Sequence, residues 1–326
     1  MPALGLQNVL EVKDLEVRVT TQRGIGRAVN GISFALNAGE TLGLVGESGS
    51  GKTLTSLAIL GLQPQPAAQI TGGQILLHGD DLLKKTPAEL QHYRGRRIAM
   101  VLQDPMTALN PVFSIGRQLY EPLKLHRHLF GKELHEQAID LLRLLQIPSP
   151  ETRLKNYPHQ LSGGMRQRVV GAIALSCSPE ILIADEPTTS LDVTVQAHYL
   201  ALLNAIQKKM GTSILFITHD FGVVARMCDR VAVMYAGRIV ETAPARTIFE
   251  QPAHPYTEAL LKSVPDLTKA VDRLPSIQGS PPSIYNRAQG CPFAPRCPHV
   301  MDKCRELYPP ETQISTSHTT SCWRYE

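Results

Sequence analysis

The period of the hydrophobic pattern changes several times along the chain, and each change marks a predicted element. Near the start, apolar and polar residues alternate in short pieces: Val9-Leu10-Glu11-Val12, Leu15-Glu16-Val17-Arg18-Val19 and Gly31-Ile32-Ser33-Phe34-Ala35-Leu36. A period of two belongs to a strand with one buried face, so these predict strands joined by turns such as Asn37-Ala38-Gly39. Residues 73–79 repeat the pattern after a Pro-, Gln- and Ala-rich connection at 63–69, and the pieces together predict a small antiparallel β layer. Other runs are apolar throughout: 41–45, 98–102, 181–184 and 214–218 predict further strands, the third with a buried pattern. Segment 133–147 switches to the helical period, with Leu134, Ala138, Leu141, Leu142 and Leu145 on one face and charge opposite. A long helix after residue 192, a helix and hairpin ending near 242, and a short helix within 251–261 follow. Residues 264–290, with Pro265, Pro275, Pro281 and Pro282, read as an extended crossing segment. Strands interleaved with helices predict the α/β class.

The chemistry sits where these elements join. Gly46-Glu47-Ser48-Gly49-Ser50-Gly51-Lys52-Thr53 lies between the 41–45 strand and a helical stretch, Leu54-Thr55-Ser56-Leu57-Ala58-Ile59-Leu60. Strand, glycine loop and helix in that order are the context of a phosphate-binding P-loop. The glycines let the backbone curl so that N–H groups point at phosphates, and the helix start adds the positive end of its dipole. Gly46, Ser48, Gly49, Ser50 and Gly51 form the candidate cradle, Lys52 adds a point charge, and the Thr53 hydroxyl can complete a Mg²⁺ shell. The expected ligand is a nucleoside triphosphate.

Further on, Leu161-Ser162-Gly163-Gly164-Met165-Arg166-Gln167-Arg168 opens a helix. Ser162 is a good N-cap, and the two glycines leave backbone N–H groups unobstructed for an anion. The 181–184 strand ends in Asp185-Glu186-Pro187, placing Asp185 to hold Mg²⁺ and Glu186 to polarise an attacking water. Ser190-Leu191-Asp192 follows, and the 214–218 strand ends in His219. Alone, Gln103 at its strand end reads as a surface amide and His219 as structural; their company makes both candidates.

Composition narrows the class. At 326 residues and 43 % hydrophobic, the chain has room for one large α/β domain and something smaller. A net charge of +4 makes no case for nucleic acid as a partner. No run approaches the roughly 20 apolar residues that span a bilayer, and the start lacks a signal-peptide pattern. These features predict a cytosolic chain whose six cysteines are thiols or metal ligands.

P-loop, glutamine, LSGGMRQR, strand-end Asp-Glu, SLD and strand-end histidine, in this order, resemble the ATP-binding cassette (ABC) ATPases over about residues 8–250. The resemblance implies an ABC-type P-loop ATPase core over 1–250. Within it are an antiparallel β subdomain and a helical subdomain at about 104–175; a small Cys-rich C-terminal extension follows over 251–326. It implies that Gln103 senses Mg²⁺ and contacts a membrane subunit. Ser162, Gly163 and Gly164, with Gln167 on the same helix, would close on ATP held by the opposite subunit. Asp192 would communicate across the dimer, and His219 would orient the γ-phosphate and water. Lys52, Glu186 and His219 are then the catalytic set, and Thr53, Gln103 and Asp185 the Mg²⁺ set. Each P-loop half is incomplete alone, so hydrolysis needs a head-to-tail partner to exclude water and finish the charge clamp. One departure stands out. The family stacks adenine on an aromatic near the position of Val19, and residues 15–33 contain none, so weaker base stacking is expected.

The tail adds a second chemistry. Cys291, Cys297, Cys304 and Cys322, spaced Cys-x5-Cys-x6-Cys-x17-Cys, crowd into 32 residues. So short a tail cannot bury a core of its own, and four thiols favour metal ligation. The spacing lacks the Cys-x2-Cys knuckle of structural zinc, and all-thiolate ligation also suits an iron–sulfur cluster. With His254-Pro255-Tyr256-Thr257 upstream, the tail resembles the ATPase subunits of dipeptide and oligopeptide ABC importers. That implies a [4Fe-4S] cluster on the four cysteines, with zinc as the alternative. Nothing in the sequence places it near the phosphates, so a structural or redox-sensing role is expected. Cys177 and Cys228 lie in apolar predicted helices and read as packing residues.

The resemblance further implies a peripheral subunit at the cytoplasmic face of a bacterial inner membrane. It would pair with a second, related ABC ATPase and dock, through Gln103 and the 104–150 helices, on two transmembrane permease subunits. A periplasmic or extracellular peptide-binding protein would serve it indirectly. The alternatives are an importer for nickel or glutathione and, disfavoured by the single cassette, a soluble ABC ATPase acting on ribosomes or DNA.

Overall fold

The alternating residues near the start form longer strands than their short patterns predict. In the computed structural model, which describes residues 7–189, 191–264, 276–285 and 289–326, β1 (Asn8–Thr21) and β2 (Gly24–Asn37) are 14 residues each. Asp14, with φ +48°, and an irregular register between Lys13 and Val17 absorb the break that splits β1 in the sequence pattern. β3 (Thr41–Val45) follows, then the glycine-rich loop and α1 (Lys52–Ile59). β4 (Ala68–Leu77) runs antiparallel to β1, with Val12 opposite Ile75, and β5 (Asp80–Asp81) is antiparallel to β4. The order β2-β1-β4-β5 is the predicted β layer, and Leu10, Val12, Leu15, Val17, Ile75 and Leu77 form its buried face. Ser190, Pro265 and Pro275 lie outside the described residues.

α2 (Pro87–Tyr93) starts at Thr86, whose hydroxyl accepts the Glu89 N–H, and leads to β6 (Ile98–Val101). Helices then take over: α3 (Pro105–Ala108), α4 (Ile115–Arg127), α5 (Gly131–Leu144), α6 (Pro150–Arg153) and α7 (Gly163–Leu175). In α5 the predicted face is the buried one: Leu134, Ala138, Leu141 and Leu142, with Leu145 at the C-cap. Each buried leucine contributes about 1.5–3 kcal/mol. Next come β7 (Ile181–Asp185), α8 (Val193–Met210), β8 (Ser213–Thr218), α9 (Phe221–Met227), β9 (Arg230–Tyr235) and β10 (Arg238–Pro244). β3, β7 and β8 are buried along their whole length, as their unbroken apolar runs require, whereas β1 alternates. α10 (Ala245–Glu250), α11 (Pro255–Lys262), α12 (Asp302–Glu306), β11 (Thr312–Ser315) and β12 (His318–Thr320) complete the chain.

The chain divides into two compact units interleaved in sequence. One holds residues up to Val9, Leu36–Glu40 and Lys84–Phe216. In it β8, β7 and β6 lie in that order, with β6 and β7 parallel and Ile98 opposite Ile181. The other holds Leu10–Ala35, Thr41–Leu83 and the chain from Ile217 onward. Its strands lie in the order β11-β12-β10-β9-β3; β3 and β9 are parallel, and the remaining pairs antiparallel. The C-terminal segments therefore share a unit with the glycine-rich loop, a grouping that a linear division at residue 250 does not express. Among the described residues, no helix is long and apolar enough to cross a membrane.

Candidate functional site

β3 carries the chain directly into the glycine-rich loop. A Cβ on Gly46 (φ +156°) would lie 2.1 Å from the Met234 carbonyl oxygen, and one on Gly51 (φ +107°) 2.6 Å from that of Ala28. Sterics demand glycine at both positions. Lys52 is only 5 % exposed, and its Nζ donates to the carbonyls of Gly46 (2.7 Å) and Glu47 (3.0 Å) and to Ser50 Oγ (3.4 Å). The ammonium is thus folded over the loop at the start of α1, with Ser48, Gly49 and Thr53 exposed around it. A cation and a helix start on one curled loop suit a phosphate chain. In the same unit, exposed His219 follows β8 directly, and Asp220 caps α9 by accepting the Gly222 N–H at 2.7 Å.

The second residue of the loop is held from the C-terminal part of the chain. Tyr256 Oη accepts the Glu47 backbone N–H at 2.8 Å. Arg296 forks onto the Glu47 carboxylate, with contacts of 2.7 and 2.9 Å, from a side chain only 4 % exposed. The same guanidinium donates to Tyr235 Oη (3.2 Å) and to the carbonyls of Gln278 (3.0 Å) and Ile277 (3.4 Å). Tyr256 is placed by the His254-Pro255 turn before it. Buried Glu241 accepts the N–H groups of Ala253 (2.7 Å) and His254 (2.9 Å) and shares a hydrogen bond with His318 Nε2 (2.8 Å). His254 Nδ1 in turn accepts the Tyr256 N–H at 3.0 Å, capping α11. Burial pushes His254 down to about 3, helped by the nearby Arg324 charge, so the ring is neutral and able to accept.

In the other unit, α7 starts at Ser162, whose Oγ accepts the Met165 N–H at 3.3 Å; Ser162 and Gly163 are exposed. A Cβ on Gly164 would lie 2.8 Å from Val195 Cγ1, so the start of α7 packs on the start of α8. Asp192 caps α8, its Oδ1 accepting the Val195 N–H at 2.9 Å. The LSGG stretch and Asp192 are therefore neighbours. β7 ends in buried Asp185, and Glu186 follows with φ +45°. That left-handed backbone stores about 1–3 kcal/mol in a non-glycine residue and is a mark of functional turns. Gln103 Nε2 donates to Glu186 Oε2 at 2.9 Å, and Thr189 Oγ1 donates to the same oxygen at 3.1 Å. The Asp185 carboxylate, Gln103 amide oxygen and Thr53 hydroxyl are hard oxygen donors of the kind Mg²⁺ takes. Gln167 departs from expectation. It is fully buried, on the inward face of α7 with Val170 and Ala174, rather than presented beside Ser162 and Gly163.

The four tail cysteines converge. Cys291, Cys297, Cys304 and Cys322 line one cavity of about 20 Å³ together with Phe293 and Trp323. The close approach needs Gly290, where a Cβ would lie 2.2 Å from the Cys304 carbonyl oxygen; the Cys291 N–H donates to that same oxygen at 2.8 Å. Burial pushes the Cys291 thiol up to about 11, and Cys297 and Cys322 in the same direction. Among the described residues no group of three or more His, Cys, Asp or Glu side chains is placed to hold a metal ion. The expectation of a formed metal site is therefore not met; what converges is a donor set of four thiols, which fits all-thiolate ligation in number and type. Cys177 and Cys228 stand just past the ends of α7 and α9 rather than inside helices. Burial pushes Cys228 up to about 12, and Gly43, where a Cβ would lie 2.7 Å from its Sγ, makes room for it. These two are packing thiols.

A family model described as ABC transporter matches residues 29–189, and one described as oligopeptide/dipeptide transporter, C-terminal region, matches residues 240–304. The chain is 50 % identical to the dipeptide transport ATP-binding protein DppD of Bacillus subtilis, over 98 % of this chain and 95 % of that one. The chain belongs to the ATP-binding proteins of peptide ABC transporters. The oligopeptide transport ATP-binding protein OppD of Escherichia coli is 46 % identical over 97 % of this chain and 93 % of its own. Among solved structures, the dimeric ATP-binding cassette MJ0796, in a post-hydrolysis state bound to ADP and Pi, matches with a TM-score of 0.65 at 25 % identity. The match covers 73 % of this chain and 99 % of that one.

For a peptide ABC transporter ATP-binding protein, two residues of this site escape sequence reasoning. Arg296 reaches Glu47 across 249 positions, and its only signal is a charge inside an otherwise uncharged Cys-Pro-Phe-Ala-Pro-Arg-Cys stretch. Tyr285 shares a hydrogen bond with Thr21 Oγ1 at 2.7 Å, bringing an aromatic ring to the end of β1, the strand that lacks one after Val19. A larger cavity of about 350 Å³ beside β2, lined by Ile25, Arg27, Asn30, Arg238, Tyr285 and Tyr308, includes none of the predicted nucleotide residues.

Proposed function

We propose that this chain is the ATP-hydrolysing subunit that energises a bacterial ABC importer of dipeptides or oligopeptides. The observation that carries the reading is 50 % identity over 98 % of the chain to a dipeptide transport ATP-binding protein, together with an intact P-loop. In this reading Gly46 and Ser48–Thr53 cradle the triphosphate, and Lys52 takes up charge on the β- and γ-phosphates. Thr53, Gln103 and Asp185 hold Mg²⁺, which when bound neutralises charge developing between those phosphates. Glu186 accepts a proton from water as its oxygen bonds to the γ-phosphorus. The bond to the bridging oxygen breaks, ADP leaves, and His219 orients the γ-phosphate and the water. Ser162, Gly163 and Gly164 serve the ATP of a partner ATPase, and Asp192 links the two sites. Gln167 has no direct part in this reading.

The proposed partner is a second, related ATPase subunit in head-to-tail arrangement. Two permease subunits receive the Gln103 region, and the chain stays peripheral at the cytoplasmic face of the membrane. Cys291, Cys297, Cys304 and Cys322 would hold a [4Fe-4S] cluster, with zinc as the alternative, and the group would tie the tail at four points. Four thiols on one cavity support that assignment. Anaerobic purification with iron, sulfide and zinc analysis tests it: about four irons per chain, lost in Cys291→Ser, are expected, and a metal-free protein overturns it.

The transport reading is tested with the assembled complex in lipid vesicles. Labelled dipeptide should accumulate only with ATP and an intact chain, while nickel and glutathione should not. ATP-driven accumulation of nickel or glutathione without dipeptide would overturn the cargo assignment.

A further inference from the structure

The C-terminal part of this chain grips the phosphate loop at one residue, and every contact is specific. Glu47 has three polar groups, and each has a partner: the N–H donates to Tyr256 Oη, the carbonyl accepts from Lys52 Nζ, and the carboxylate accepts the Arg296 fork. Two of these three partners come from beyond residue 250. With its N–H and C=O both engaged, the peptide on either side of Glu47 has its plane fixed, and with it the start of the curl that aims the following N–H groups. Neither grip is loose. Arg296 is 4 % exposed and Tyr256 fully buried; Tyr235, Tyr256 and Phe293 pack with ring centroids 4.4 to 5.4 Å apart beneath the guanidinium. A bidentate, charge-assisted pair shielded from water is geometrically selective.

We propose that Arg296 and Tyr256 are positioning residues for ATP binding: through Glu47 they hold the P-loop in its phosphate-accepting shape, so the C-terminal extension sets nucleotide affinity. The proposal rests on the reading that the P-loop binds ATP, and assigns the extension a place in that site. Removing the fork frees the loop to sample shapes whose N–H groups diverge. Binding ATP must then reorder it, so affinity falls while the chemical step, once ATP is seated, does not.

The test is Mg-ATP affinity and steady-state ATP hydrolysis by the full assembled complex. Arg296→Ala and Glu47→Gln are expected to weaken nucleotide binding and raise KM about tenfold each with kcat little changed, and the double variant to be no worse than either single one. Arg296→Lys, which keeps the charge but not the fork, should recover part of the loss. Tyr256→Phe, which removes only the acceptor for the Glu47 N–H, should shift KM in the same direction; it guards against Arg296→Ala simply misfolding. Wild-type KM in Arg296→Ala and Tyr256→Phe would overturn the proposal, as would a fall in kcat without a KM change. If instead the wild-type complex binds no ATP, or Lys52→Ala binds it normally, it is the underlying P-loop reading that fails.

Discussion

Glu47 and Glu186 are both half-buried glutamates in turns that follow a buried strand, yet their surroundings are opposite. Glu47 has a guanidinium fork on its carboxylate and both backbone groups bonded. Glu186 has an amide and a hydroxyl, both neutral donors and both on one oxygen, Oε2. The first arrangement immobilises a carboxylate as part of a scaffold. The second sets an amide and a hydroxyl donor on a carboxylate oxygen, an arrangement that suits the base proposed for water. A local sequence reading sees two loop acids; only the partners separate the group proposed to fix the loop from the one proposed to react.

That contrast can be broken at several points. The largest effect is expected at the proposed base: Glu186→Gln should cut ATP turnover by roughly 10²–10⁴ while ATP still binds, because a positioned base contributes about that factor. Next, Lys52→Ala should lower Mg-ATP affinity roughly 10–100-fold through loss of the charge on the phosphates, as equilibrium titration would read. Third, Gly46→Ala places a methyl 2.1 Å from the Met234 carbonyl oxygen. It should cost about 2 kcal/mol or more of stability in thermal unfolding, since backbone must move to admit it.

The smallest effect is the pH response of the turn that sets Tyr256. His254 has a folded value of about 3 against an ordinary 6.5, so the unfolded chain takes up the proton first. Its stabilising contribution is complete above pH 6.5 and is lost as pH falls from there toward 3. The slope approaches about 1.4 kcal/mol per pH unit. Denaturant unfolding at pH 7.5 and 5.5 should therefore show a drop of about 1 kcal/mol that His254→Asn, which keeps a capping side chain, removes. Equal drops in both proteins would contradict the buried neutral ring.

What the sequence made legible was contiguous. The P-loop is a strand, a loop and a helix in one stretch, and the face of α5 follows from spacing alone, so both could be read directly. β1 could not be read at full length, because Asp14 and the register irregularity beside it interrupt the alternation without ending the strand. Gln103 and Glu186 were each visible as candidates, but their hydrogen bond joins positions 83 apart. His254-Pro255-Tyr256-Thr257 was visible as a signature without a mechanism. Its role needs Glu241 and His318, which hold the turn from β10 and β12. The contact of Arg296 with Glu47 escaped for the same reason: Arg296 carries no local pattern, and its partner is 249 residues away. Gln167 was placed on the right helix but among the ATP-facing residues, because the sequence does not say which face of a helix points inward when small residues surround it.

The most direct test of the account is a side-by-side measurement of ATP affinity and maximal turnover in complexes carrying wild-type, Glu47→Gln or Glu186→Gln chains. Glu186→Gln is expected to lose turnover with affinity retained, and Glu47→Gln to lose affinity with maximal turnover retained. Full turnover in Glu186→Gln, or the same parameter failing in both variants, would contradict it.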